Sequence, residues 1–290
     1  MPNTTANGIQ IEYDTFGEKS SPPLLLVMGL SAQLTDWDED FCKQLAGKGL
    51  FVIRFDNRDV GLSTKFEDAG IPDLMAAMGG EDFQAPYSLD DMADDAMGLL
   101  DALNIEKAHI CGVSMGAIIT QVIGYRHPSR VLSLIPIMGT TGSRGLPQGK
   151  PEALEVIVTP APKEREAYIE YSVMRWRIFW GSLDFDEETI RERAAVSYDR
   201  AFYPQGIARQ YAAIITNGSR RRRLASITSP TLVIHGSEDP LLPVEHGKDT
   251  AEAIPNAEML IIDGMGHCLP KVTWPQIVDA IANHTRKAAH

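Results

Sequence analysis

The chain has 290 residues, 44% of them hydrophobic, enough for one large α/β core with a smaller inserted unit. Its 39 acidic and 27 basic side chains leave a formal net charge of −12, which argues against nucleic acid as a partner. No segment reaches membrane-spanning length, residues 1–4 carry no basic or apolar leader pattern, and three cysteines (Cys42, Cys111 and Cys268) fit neither a disulfide framework nor metal-ligand spacing, so the expectation is a cytoplasmic protein without metal or cofactor.

In chain order, Ile9–Phe16 reads as a first strand at a sheet edge. Residues 24–28 and Phe51–Phe55 are continuous apolar runs of strand length, separated by an amphipathic helical stretch near residues 38–45. The loop 66–87, with Met75, Met78 and Phe83, is a candidate wall for a binding site because methionines adapt to varied shapes, the plainer alternative being a short packed helix. Residues 88–103 read as a helix that Ser88 can cap, with Leu89, Met92, Ala93, Ala96, Leu99, Leu100 and Leu103 on one face. Residues 110–114 and Val131–Ile137 are further strands, flanking a helical stretch at 117–125.

Between about residues 139 and 224 the alternation stops. Pro147, Pro151, Pro160 and Pro162 break the entry, and aromatics then concentrate in long helical stretches. The expected organisation is a helical cap at 139–224 inserted into a core made of 1–138 and 225–290. Most cap aromatics should pack within the cap, while Trp176 and Trp180, with Gly29 and Met75, are taken as the substrate pocket. The run Arg220-Arg221-Arg222-Arg223 reads as a solvated helix end or a partner for the acidic surface. Residues 231–234 and Glu258–Ile262 resume the strands. Strands alternating with helices predict an α/β fold, with a mostly parallel, doubly wound sheet covered on both faces.

Gly112-Val113-Ser114-Met115-Gly116 stands between a strand and a helix, the context a nucleophile elbow needs. Glycines are common enough that the pattern is weak as bare text, and its bland alternative is an ordinary strand-to-helix turn. A nucleophilic serine needs a base, and the base an orienting acid. Asp239 follows the strand at 231–234 and His267 the strand at 258–262, in the order Ser, Asp, His. Asp239 is preferred to Glu238 because it precedes Pro240, where the backbone is extended, and Asp263 reads as a turn former beside Gly264. Of seven histidines, His109 and His235 flank strands and read as structural. His127 marks a helix end, His246 begins a helix, and His284 and His290 are assigned to an exposed tail. For the oxyanion, the backbone N–H of Met115 is one expected donor, and that of Leu30, after Met28-Gly29, the other. Cys268, beside the expected base, is a conceivable rival nucleophile.

These residues, with Asp56-Asn57-Arg58-Asp59-Val60-Gly61-Leu62-Ser63 and His235-Gly236-Ser237-Glu238-Asp239, resemble the α/β-hydrolase superfamily from Leu24 to about Trp274. The family usually has His-Gly where this chain has Met28-Gly29, and Asp-x-Arg-Gly-x-Gly where it has Asp59 in place of the first glycine. Both departures, with the Ser-Met-Gly-Ala elbow, look most like the branch containing aclacinomycin methylesterase. The resemblance implies a carboxylesterase-type serine hydrolase, with Ser114 as nucleophile, His267 as base, Asp239 as orienting acid and a small-molecule ester as substrate. Carbon–carbon bond hydrolysis or perhydrolysis on the same triad, and a non-catalytic binding protein on the scaffold, stay open as alternatives.

Overall fold

The structure, a computed structural model, describes residues 1–74 and 84–288. Met75, Met78, Phe83 and His290 lie outside the described residues. The strands are β1 (Asn3–Ala6), β2 (Ile9–Phe16), β3 (Pro23–Val27), β4 (Phe51–Phe55), β5 (Ala108–Val113), β6 (Val131–Ile137), β7 (Leu232–Gly236) and β8 (Glu258–Ile262). Among the described residues they form one sheet in the order β1-β2-β4-β3-β5-β6-β7-β8, parallel from β4 to β8 and antiparallel where β2 meets β1 and β4.

The expected edge strand is therefore second in the sheet. Asn3–Ala6 folds back outside it through Asn7 and Gly8, both at positive φ. An Asn-Gly pair is the preferred two-residue hairpin turn, because its backbone twist matches that of the strands it joins.

Alternation within each buried strand separates two layers. Leu25, Val27, Ile53 and Ile110 pack on one face with α2 (Leu89–Ala102) and α3 (Met115–Arg126). Leu24, Leu26, Val52 and Cys111 pack on the other with α1 (Glu39–Gly47) and the C-terminal helix Trp274–Ala288. Successive side chains point to opposite faces, so a strand buried on both sides must be apolar throughout, as Pro23–Val27 is. Ser88 caps α2 in a reciprocal capping box with Asp91, which satisfies backbone donors at that helix start.

Between β6 and β7 the chain forms α4 (Pro151–Val158), α5 (Arg165–Phe179), α6 (Glu187–Arg200), α7 (Gln205–Asn217) and the single turn α8 (Arg221–Leu224). α9 (Glu245–Ala253) then separates β7 from β8, and α10 (Trp274–Ala288) closes the chain. Among the described residues no helix is long and apolar enough to cross a membrane.

Two expectations fail here. His284 is not in an exposed tail: α10 carries its apolar stripe, Ile277, Val278 and Ile281, onto the sheet, and His284 is buried on that same helix, 3.3 Å from the Pro230 carbonyl. The arginine run is not wholly solvated either. Arg220 is buried and fills its hydrogen bonds with Gln121, Asn217 and the carbonyls of Gly218 and Thr140, and burial lowers its pKa to about 10. Arg221 does meet the acidic surface, at Asp249 and Glu252.

The inserted helices attach to the loop after β4 through buried ion pairs. Arg209 on α7 donates to both Asp59 oxygens at 2.8 and 2.9 Å, with both side chains almost fully enclosed. Gly206 allows this approach, since a Cβ there would run into the Asp59 carbonyl. Arg200, at the end of α6, reaches Asp56 at 2.8 Å and Gln33 at 2.6 Å. Asp59 adopts φ 68°, a conformation in which Asp is among the better tolerated non-glycine residues, so the departure from the family pattern at this position places a carboxylate under α7. Arg209→Leu should cost about 3–5 kcal/mol by leaving the Asp59 charge buried and unpaired. Removing both partners should cost less than removing the arginine alone, as checked by denaturant unfolding of the two variants. A double variant no more stable than the single one would show that the pair is not the attachment.

Candidate active site

β5 lies between β3 and β6, so its C-terminal end opens at the middle of the sheet edge where the loops after β3, β6, β7 and β8 also emerge. Ser114 occupies that end, at φ 53° and ψ −116°, as the residue preceding α3. The turn is tight. A Cβ at Gly112 would strike the Gly116 carbonyl, and one at Gly116 would strike that of Val27. The Ser114 N–H donates to the Ile137 carbonyl at 3.0 Å, and its side chain makes no cap hydrogen bond, which leaves the hydroxyl available.

The structure brings Ser114, His267 and Asp239 together. His267 Nε2 lies 2.9 Å from Ser114 Oγ, and His267 Nδ1 lies 2.7 Å from Asp239 Oδ2. The other carboxylate oxygen, Oδ1, accepts from the N–H groups of Leu241 and Leu242 at 2.9 and 2.8 Å. Burial raises the cost of the Asp239 charge, but His267 and His235 beside it outweigh that cost and hold the carboxyl well below its usual range. An ionised carboxylate only accepts, so the imidazole proton sits on Nδ1 and Nε2 is left to take a proton from the serine. Glu238 is exposed and accepts from Ser182 at 2.8 Å, on a different side of the turn.

The Leu30 and Met115 N–H groups have no acceptor among the described residues. The loop that carries Leu30 is held on both sides: Asn57 donates to the Met28 carbonyl at 3.0 Å, and the Ser31 N–H donates to Gln210 Oε1 at 3.0 Å. Met115 begins a twelve-residue helix, whose N-terminal dipole adds to the attraction for negative charge.

A cavity of about 900 Å3, its open mouth included, lies over Ser114 and His267. Gly29, Trp176 and Trp180 line it, as does Phe179, whose ring meets the His267 ring edge-on at 5.9 Å. Its walls otherwise are mainly apolar, among them Met28, Trp37, Phe41, Met138 and Trp274. Cys268 also borders it but is no ready nucleophile. Burial pushes its thiol pKa far up, and Sγ lies 3.5 Å from the Trp180 carbonyl.

Three contributors were not singled out from the sequence. His235, expected to be structural, donates to the Leu242 carbonyl at 2.7 Å and also lies 3.4 Å from Asp239, so it braces the acid. Gln210 and Asn57 brace the Leu30 loop. The spacing of a helical glutamine gives no sign of such a role, whereas Asn57 sits inside the segment that resembles the family.

The model of the alpha/beta hydrolase fold family matches residues 22–271. The chain is 29% identical over 305 aligned positions to rhodomycin D methylesterase DauP of Streptomyces sp. (strain C5), covering 98% of this chain and 97% of that protein. It is 26% identical to 3-oxoadipate enol-lactonase 2 of Acinetobacter baylyi, over 89% of this chain and 87% of that one. Among solved structures, a meta-cleavage product hydrolase from Pseudomonas fluorescens superposes with a TM-score of 0.77 at 20% identity, over 99% of this chain and 98% of that one. By the extent of the family match and the fold it shares, this chain belongs to the α/β hydrolase family.

Proposed function

We propose that this protein is a serine hydrolase that cleaves carboxylic esters with an apolar or bulky portion through an acyl-enzyme. The observation that carries this is the continuous relay from Asp239 through His267 to Ser114, opening into an apolar cavity. His267 Nε2 takes the Ser114 proton as Oγ attacks the ester carbonyl. The oxyanion is met by the N–H groups of Leu30 and Met115, each such donor being worth about 3–4 kcal/mol in the transition state. Collapse breaks the ester C–O bond, and His267 returns the proton to the departing alcohol. Water, activated by the same imidazole, then releases the acid. Asp239 fixes the tautomer and stabilises the imidazolium without taking the proton.

A methyl ester is the first substrate class to test, in line with the methylesterase name of the Streptomyces relative. A lactone is an internal ester, so the enol-lactonase likeness falls within the same reaction type. The meta-cleavage product hydrolase is alike in fold alone, which leaves carbon–carbon hydrolysis second. Residues 139–224 act in this scheme as a cap that supplies Trp176, Phe179 and Trp180 to the cavity, with 1–138 and 225–290 as the core. Three free, buried thiols fit a reducing cytoplasm.

Ser114→Ala should lower ester turnover by several orders of magnitude with the fold intact, and a fluorophosphonate should label Ser114 in the wild-type protein only. A variant keeping more than about a tenth of the wild-type rate would remove Ser114 from this role.

Asp239→Asn should likewise cost several orders of magnitude in kcat, while Glu238→Gln, whose amide oxygen can still accept from Ser182 at the surface, should stay close to wild type. The reverse ranking in the same assay would mean that the orienting acid has been misassigned. Cys268→Ser should retain near-normal turnover. An inactive but folded Cys268→Ser protein would instead point to a thiol mechanism.

A further inference from the structure

The peptide that carries the Leu30 N–H has little of its own to hold it. Gly29 precedes it, and glycine leaves the backbone free to turn that N–H away from the cavity. Ser31 follows it at φ 65°, a left-handed conformation that a serine does not keep without restraint. Two side chains supply that restraint, one on each side. Asn57, from the loop after β4, holds the Met28 carbonyl at 3.0 Å. Gln210, from α7, accepts the Ser31 N–H at 3.0 Å through Oε1 and donates through Nε2 to the Arg58 carbonyl at 2.8 Å. Gln210 is fully buried, so neither bond is shared with bulk water.

The two Gln210 bonds bridge three separate chain segments: the loop after β3, the loop after β4 and the inserted helices. The neighbouring Arg209 and Asp59 are committed to each other, which fixes the backbone on which Gln210 stands. The amide thus transmits the position of α7 directly to the peptide next to Leu30.

We infer that Gln210 is a positioning residue for ester hydrolysis: it fixes the Leu30–Ser31 peptide so that the Leu30 N–H points at the developing oxyanion. The inference rests on the esterase function proposed above. An interaction with a group that becomes charged only in the transition state affects kcat rather than ground-state binding. Gln210 touches neither Ser114 nor His267 by any bond in the structure, so its effect runs through the loop.

The test uses the full chain, one activated ester and two substitutions. Gln210→Met keeps the length and removes both bonds. It should lower kcat 10- to 100-fold, leave KM within about threefold and still melt cooperatively. Gln210→Glu replaces the amide with a group that can reproduce both bonds only when neutral, its O–H donating to Arg58 and its carbonyl oxygen accepting from Ser31. Burial favours that neutral form, and the ionised form would set a negative charge against the Arg58 carbonyl. Its kcat, divided by that of wild type at each pH, should therefore rise as pH falls from 9 to 6 and exceed that of Gln210→Met at the acid end.

A Gln210→Met enzyme within threefold of the wild-type kcat overturns the inference, as does a loss confined to KM. If Gln210→Met does not fold, Gln210→Glu decides alone: a deficit that closes as pH falls supports the positioning role, and a constant deficit, or none at pH 9, overturns it. Wild-type protein that neither turns over esters nor labels at Ser114 would instead sink the esterase function itself, a different result from any of these.

Discussion

Ser114 is held in a backbone conformation that costs a residue with a side chain about 1–3 kcal/mol. The surroundings leave it no cheaper choice. Its N–H is bound to β6, its carbonyl receives the Ile118 N–H in the first turn of α3, and the turn is closed on both sides by glycines that lie against backbone carbonyls. The same turn that strains the backbone lifts the hydroxyl off the sheet and starts the helix at Met115, so the proposed nucleophile and one proposed oxyanion donor come from one structural event. Because β5 is central, the loops after β3, β7 and β8 can reach Ser114 without long excursions. Every other part of the site is placed relative to this residue.

Around the elbow, buried charge is handled by pairing. Asp56 accepts from the N–H groups of Leu34 and Leu62 and from Arg200, Asp59 is paired with Arg209, and Arg58 with Asp95 at 2.6 and 2.7 Å. Such groups add little net stability compared with apolar replacements, since desolvation offsets the attraction. What they add is direction. Each bond specifies which atom of the loop after β4 faces which helix, and greasy packing alone would tolerate rotations that shift the neighbouring Leu30 loop.

The elbow, the order of Ser114, Asp239 and His267, and the doubly wound sheet were legible because each depends on local pattern: glycine spacing, apolar runs of strand length and turn residues after strands. The outermost hairpin is also encoded locally, in Asn7-Gly8, but Asn3–Ala6 is too short and polar to stand out as a strand. The burial of His284 and Arg220 is hidden for a different reason. A polar residue near a chain end or in a basic run reads as exposed, and only the packing of α10 and of the segment around Thr140 shows that each is enclosed. Gln210 was the least legible. It lies 179 positions from the residue whose N–H it accepts, and no periodicity connects the two.

The inserted helices are attached unevenly, and the unevenness follows the chemistry. Toward the outside, α5 and α6 are joined by exposed pairs such as Arg165–Asp199 and Arg191–Glu170, which water and salt screen. Toward the core the attachments are enclosed and directional. The Phe179 and Trp180 carbonyls accept the His267 and Gly266 N–H groups at 2.6 and 3.0 Å, while Gln33 donates to the Ser197 and Ala201 carbonyls and Gln210 holds Ser31. The first set secures the loop that carries His267 and the second the loop that carries Leu30. A displacement of the outer faces of α5 and α6 can therefore be absorbed at the screened contacts, whereas any movement of the C-terminal ends of α5 and α6 or of α7 must pull on the His267 loop or the Leu30 loop. In the proposed mechanism the insertion is thus a roof in its outer part and a piece of the frame around Ser114 in its inner part, and the boundary between the two is set by where its hydrogen bonds are shielded from water.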